Sequence, residues 1–190
     1  ALAIDTEFMG EGRYRALLCL IQVAVGREDG TSDTAILDPL GAPFDAGPLA
    51  DVLADPAVEI VLHAGRQDVA LLKRAWNTEL TNIFDTQLAA GFAGLRSQLG
   101  YEALLHELLG VRLGKSASFT RWDQRPLSDE QAAYAREDVL HLLQAADAVK
   151  ERLERLGRLE WAREECRVLE AVSDVRDVDT VFGRLPRVNS

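Results

Sequence analysis

Ala1-Leu2-Ala3-Ile4-Asp5-Thr6-Glu7-Phe8 opens the chain as an apolar run that turns acidic halfway along. Its length and composition predict a strand. A second apolar, β-branched run spans Ala16 to Val25, and a third, shorter one spans Thr34 to Asp38. Between them stand Gly10-Glu11-Gly12 and the Gly- and Asp-rich stretch Gly26 to Ser32, both of turn composition. Consecutive strands joined by links this short pair antiparallel. The fold therefore begins with three antiparallel strands.

After Pro48 the rhythm changes. Pro48 to Ala54 reads as a short helix and Val58 to His63 as a buried strand. Asp68 to Trp76 is helical, with Val69, Leu72 and Trp76 on one face. Asn82 to Asp85 is a brief strand, followed by helical stretches at Thr86 to Phe92 and Tyr101 to Leu109, and Gly114 to Pro126 reads as loop. Ser128 with Gln131 matches a capping box. It opens one long helix with an apolar stripe at Val139, Leu142, Leu143, Ala146, Val149, Leu153 and Leu156. A last helix is expected from Leu159 to about Val172. Strands alternating with helices after an antiparallel start predict an α/β fold. Its mixed sheet has three antiparallel N-terminal strands, then parallel strands, with helices on its faces.

With 190 residues and 47% apolar content the chain can build one real core. The longest apolar runs, such as Ala16 to Ile21, are far short of a bilayer span, so no membrane protein is expected. A net charge of -10 counts against holding a polyanion by charge attraction alone. It leaves open a protein that reaches phosphates through metal ions. Cys19 and Cys166 lack C-x-x-C spacing and read as buried free thiols of a reducing cytosol. No signal peptide is visible, and the opening inside a strand, without methionine, suggests a piece of a longer polypeptide. Residues 1–172 are read as the domain. Residues 173–190, charged and carrying Gly183 and Pro186, are read as a linker-like tail toward an absent helical module.

Four carboxylates stand out by position. Asp5 and Glu7 are two apart on a strand, so the pleat points both to one face. At about 5 Å and an effective dielectric of about 20 they repel by roughly 3 kcal/mol, a penalty a divalent cation removes. A solvated turn is the plainer alternative. Asp68 falls in the first turn of a helix, where the macrodipole alone favours an acid. Tyr134 and Asp138, four apart on the long helix, share a face at the core's edge. Each piece alone is ordinary. Gly114-Lys115-Ser116 resembles the end of a phosphate-binding loop, but Gly110 and Gly114 enclose three residues where that motif needs four, and no strand precedes them.

Taken together, the order Asp-x-Glu, Asp, Tyr-x-x-x-Asp resembles that of the DEDD 3′–5′ exonucleases. The ribonuclease D-like members are the most similar. The likeness is carried by Ala3-Ile4-Asp5-Thr6-Glu7-Phe8, Leu62-His63-Ala64-Gly65-Arg66-Gln67-Asp68 and Phe84-Asp85-Thr86-Gln87. It continues through Gly110-Val111-Arg112-Leu113-Gly114-Lys115-Ser116, Trp122, Arg125-Pro126-Leu127 and Tyr134-Ala135-Arg136-Glu137-Asp138-Val139. Ala133 stands where the histidine-type relatives carry His, so the resemblance is to the tyrosine type.

That resemblance implies a ribonuclease H-like fold and a hydrolase that shortens RNA from its 3′ end to nucleoside 5′-monophosphates. Asp5, Glu7, Asp68 and Asp138 would hold two divalent ions, Mg²⁺ or Mn²⁺, as suits hard oxygen ligands. Tyr134 would orient the attacking water, since a phenol of pKa near 10 is a poor base at neutral pH. Phe8, Met9, His63 and Lys115 are the expected substrate contacts, each with an ordinary structural alternative. Arg13, Arg15, Arg121 and Arg125 lie in predicted loops where they could meet phosphates. The implied partners are single-stranded or frayed RNA 3′ ends, with tRNA precursors and other small RNAs as substrates. A monomeric, cytoplasmic protein is expected. A DNA-directed 3′–5′ exonuclease of the same fold and a noncatalytic nucleic-acid-binding domain are the alternatives.

Overall fold

Alternate residues of the opening run go to opposite sides of a five-stranded sheet. The computed structural model describes residues 1–10, 12–41, 43–114 and 121–173. Strands β1 (Leu2–Met9), β2 (Leu17–Gly26) and β3 (Ser32–Leu37) form an antiparallel meander. Helix α1 (Gly47–Ala54) leads to β4 (Ile60–Leu62), α2 (Arg66–Trp76) and β5 (Ile83–Asp85). The sheet order is β3-β2-β1-β4-β5, with β4 parallel to β1 and β5 parallel to β4. The expected mixed sheet is thus present, although β4 is shorter than the predicted Val58 to His63.

Five helices follow among the described residues: α3 (Thr86–Phe92), α4 (Tyr101–Leu109), α5 (Asp129–Leu140), α6 (Leu142–Arg155) and α7 (Leu159–Arg167). A 3₁₀ turn follows at Val168–Ala171. On one face of the sheet Ala3, Ala24, Val61 and Phe84 pack with Leu104, Leu105, Val139, Leu142 and Leu153. On the other face Leu2, Ile4, Ile60 and Leu62 pack with Leu53, Val69 and Leu72 of α1 and α2. Each fully buried Leu or Ile contributes about 1.5–3 kcal/mol. The edge strand β5 is covered by α7, which keeps it from pairing with another chain. Both cysteines are free and buried.

The capping box forms as predicted: the Ser128 hydroxyl accepts from the Gln131 N–H at 3.1 Å, and the Ser128 N–H donates to Gln131 Oε1 at 3.0 Å. The single long helix does not. It breaks at His141 (φ -108°, ψ 4°), separating α5 from α6. The break serves packing, for α5 lies across β1, β2 and β3 while α6 packs on α3, α4 and β4. One straight rod could not cover both layers. The predicted stripe is buried as far as Leu153, but Leu156, past the last turn of α6, is 45% exposed. The last helix likewise ends early, at Arg167, and finishes as the 3₁₀ turn.

Candidate active site

The acidic half of β1 lies at the C-terminal edge of the sheet, where β1 outruns its parallel neighbour β4. Ala3, Asp5 and Glu7 share a face, and α5 crosses above it carrying Tyr134 and Asp138 one turn apart. Carboxylate oxygens of Asp5, Glu7 and Asp138 all lie within 4.8 Å of one another. They line a cleft of about 240 Å³ together with Thr6, His63, Tyr101, Tyr134 and Leu142. No lysine or arginine is among these described lining residues.

Such a cluster resists ionisation. Burial, then the charges of Asp68, Asp138 and Glu7, raises Asp5 well above the usual carboxylate range. Glu7 is pushed up to about 8 by burial and by Asp138 and Asp68. Asp138 rises to about 7 through burial and its neighbour Glu137. The residues present suit a hard divalent cation, which binds oxygen donors at about 2.0–2.3 Å and so draws three such carboxylates together. Bringing in that charge reverses the local electrostatics that hold these protons.

Asp68 reaches the site differently. A tight turn joins β4 to α2, with Ala64 in the left-handed region (φ 56°). Gly65 is obligatory there, because a Cβ would come within 2.7 Å of Leu62 Cβ. Asp68 then sits in the first turn of α2, 8% exposed, and accepts a short hydrogen bond from the Thr6 hydroxyl. Thr6 alternates with Asp5 and Glu7 along β1, so Asp68 approaches the strand from its other side. The four carboxylates predicted to share a site therefore divide: three meet directly, and the fourth stands behind Thr6, close enough to be the largest charge acting on Asp5.

The remaining predicted residues separate further. Tyr134 lines the cleft, its ring 6.0 Å from that of Trp122, and burial beside Asp138 and Glu7 pushes its phenol up to about 12. It stays protonated and able to donate at neutral pH. His63 also lines the cleft, and burial lowers its pKa, so the ring is neutral. The Thr86 hydroxyl donates its one hydrogen to the Leu62 carbonyl at 3.0 Å, so at 2.9 Å it accepts from His63 Nδ1–H. His63 Nε2 is buried and meets no side-chain partner among the described residues, and the Leu99 backbone also acts on the ring.

Phe8 and Met9 do not line the cleft. Phe8 borders a separate hollow of about 170 Å³ with Arg15, Gln67 and Arg74, and Met9 packs near Cys19, Leu20 and Trp122. Lys115 lies outside the described residues. Arg125, expected to face phosphate, is instead occupied: it pairs with Asp38 at 2.5 Å and donates to the carbonyls of Cys19 and Trp122 at 2.8 Å. Arg121 and Arg13 both turn to Asp123.

Sequence reasoning missed Tyr101. It starts α4, lines the cleft, and faces His63 with ring centroids 5.4 Å apart. Burial and Asp138 raise its phenol well above the ordinary range, opposed by the His141 backbone N–H, and no side chain among the described residues pairs with its hydroxyl. Its position one residue after Gly100 reads as an ordinary helix start, so only the fold reveals it.

Comparison with known proteins agrees with this geometry. A family model described as 3′–5′ exonuclease matches residues 1–154. Ribonuclease D of Granulibacter bethesdensis is 40% identical over 100% of this chain and 47% of its own length. The chain thus spans about half the length of the curated relatives it matches. Among solved structures, Escherichia coli RNase D superposes with a TM-score of 0.80 at 36% identity, covering 89% of this chain and 44% of that one. Brucella melitensis NrnC with bound Mg²⁺ gives 0.77 at 30% identity, over 98% of this chain and 89% of that one. No helix among the described residues is long and apolar enough to cross a membrane. By the extent of the family match and the acidic cleft it frames, this chain belongs to the 3′–5′ exonuclease family, among its ribonuclease D-like members.

Proposed function

We propose that this chain is the catalytic domain, residues 1–172, of a divalent-metal-dependent exoribonuclease that removes nucleoside 5′-monophosphates from RNA 3′ ends. The observation that carries the proposal is the convergence of Asp5, Glu7 and Asp138 into one cleft beside Tyr134. Asp5, Glu7 and Asp138 would hold the cation, and Asp68 would take part in a second site by giving up its bond to Thr6. Bound there, Mg²⁺ or Mn²⁺ supplies Lewis acidity, which lowers the pKa of water and offsets charge developing on the phosphate. Tyr134, protonated, orients the incoming water or a phosphate oxygen by donating its O–H. The His63 ring and the Tyr101 hydroxyl, on the same wall of the cleft, would meet the hydroxyls of the terminal ribose. Phe8 and Met9, next along β1, would stack on terminal bases, each worth about 1–3 kcal/mol, and Lys115 would meet the backbone.

RNA is favoured as substrate by the relatives named Ribonuclease D and by an NrnC solved with pGG. Within RNA, small structured species such as tRNA precursors are the expected targets of a monomeric cytoplasmic protein. Digestion of a 5′-labelled RNA with and without Mn²⁺, alongside Asp138→Asn, tests the proposal. A ladder shortening from the 3′ end only in the parent with metal supports it. Internal cuts, or cleavage in EDTA, would refute it, and faster digestion of matched DNA would move the substrate class.

A further inference from the structure

One buried polar side chain beside the cleft takes no part in the chemistry proposed for Asp5, Glu7, Asp138 and Tyr134. Gln22, in the middle of β2, is fully buried, and neither its amide nitrogen nor its amide oxygen has a partner among the described residues. Its register partners are Asp5 on β1 and Ile36 on β3. Directly opposed residues of an antiparallel pair share a face, with Cβ atoms about 4.5–5.5 Å apart. Gln22 therefore lies beside Asp5 under α5, on the face that carries the acidic cluster.

Its neighbours along that face make the amide conspicuous. Ala24 on one side belongs to the apolar cluster of Ala3 and Val139, and Leu20 on the other packs with Ala135 and Trp122. A leucine would complete this seam. A buried amide without partners costs about 1–3 kcal/mol. The nearest polar group by register is Asp5, whose carboxylate accepts from the Thr6 backbone N–H but, among the described residues, from no side chain.

We infer that Gln22 is a positioning residue for the metal site: when Asp5 turns one oxygen to a cation, Gln22 Nε2 donates to the other and fixes the carboxylate's orientation. This rests on the metal-binding reading proposed above. Groups that orient a ligand in this way change metal affinity by about 10–100-fold when removed.

The test measures Mn²⁺ binding to the RNA-free protein at pH 8 by calorimetry, in the parent, Gln22→Leu and Gln22→Met. The metal-free melting temperature of each is recorded in parallel. The expected result is a 10–100-fold weaker Kd in both variants with a metal-free melting temperature equal to or a few degrees above the parent's, a split that a packing role does not produce. Parent-like Kd in the folded variants, within twofold, overturns the role of Gln22 alone, and a buried water serving the amide would give that result. Absence of Mn²⁺ binding in the parent overturns the metal reading and this inference with it. Should both variants fail to fold, the parent still decides: the Gln22 side-chain ¹⁵N–H₂ resonances must shift on Mg²⁺ addition, and unmoved resonances refute the inference.

Discussion

A cluster of acids and a single acid are buried at the same edge of the sheet, on strands separated by β4, and they are buried in opposite ways. Asp85, at the end of β5, is 1% exposed and accepts four backbone hydrogen bonds. The donors are Ala64 and Gly65 at 3.2 and 2.8 Å and Gln87 and Leu88 at 2.8 and 3.2 Å. It caps α3 and holds the turn that presents Asp68. Asp5, Glu7 and Asp138 face one another, and burial first, then neighbouring carboxylates, raises their proton affinities. A buried carboxylate surrounded by donors is structural. A group of them facing each other calls for a cation.

Substitutions should separate the two kinds. The largest effect is expected for Asp138→Asn: metal-dependent activity falls by at least about 10³-fold, since several kcal/mol of charge stabilisation is lost. The folded state should survive, with a metal-free melting temperature at pH 8 no lower than the parent's. A melting temperature that collapses with the activity would mean that Asp138 is structural after all. Asp85→Ala reverses the pattern. Stranding four buried N–H groups should cost about 3–5 kcal/mol, or about 10 °C for a chain of this length, seen by thermal melting without metal. If that variant melts like the parent, the contrast between the two groups fails.

Tyr134→Phe sharpens the site side of the contrast. Loss of a donating hydroxyl should lower kcat by about 10–100-fold and leave Mn²⁺ affinity unchanged, because the phenol does not ionise below about pH 12. A rate profile with a Tyr134-dependent limb near neutral pH would make it a base instead. The smallest effect is the most diagnostic. Glu7 and Asp138, at about 8 and about 7, keep protons in the folded state that the unfolded chain has already released above pH 4–5. The folded state binds more protons across that window, so metal-free stability falls as pH rises from about 5 to about 8. Melting temperature in EDTA should decline by a few degrees over that range. Mg²⁺ should restore it at pH 8, and Asp5→Asn should flatten the decline. A melting temperature that rises toward pH 8 in EDTA would count against the repelling cluster.

Much of this arrangement is legible in the sequence itself. The period of two in Leu2 to Phe8 put Asp5 and Glu7 on one face, and the spacing of four put Tyr134 with Asp138; both are local consequences of backbone geometry. Ser128 and Gln131 announced their helix start for the same reason. The resemblance to DEDD exonucleases joined these pieces across wide gaps that spacing alone could not bridge. His141 was not legible, because the apolar stripe passes through it unbroken and only the two packing layers require the bend. Nor was the occupation of Arg125, whose partner Asp38 is 87 residues away in the chain.

Local pattern alone therefore determined the order and type of most elements and which acids share an element's face, but not where every element ends. Tertiary structure decided the rest. It chose which three acids meet and which stands behind Thr6, it brought Tyr101 to the wall of the cleft, and it set Gln22 beside Asp5. The reason is physical: periodicity orients a side chain relative to its own backbone, whereas burial, charge repulsion and an unpartnered amide arise only when separate elements pack against each other.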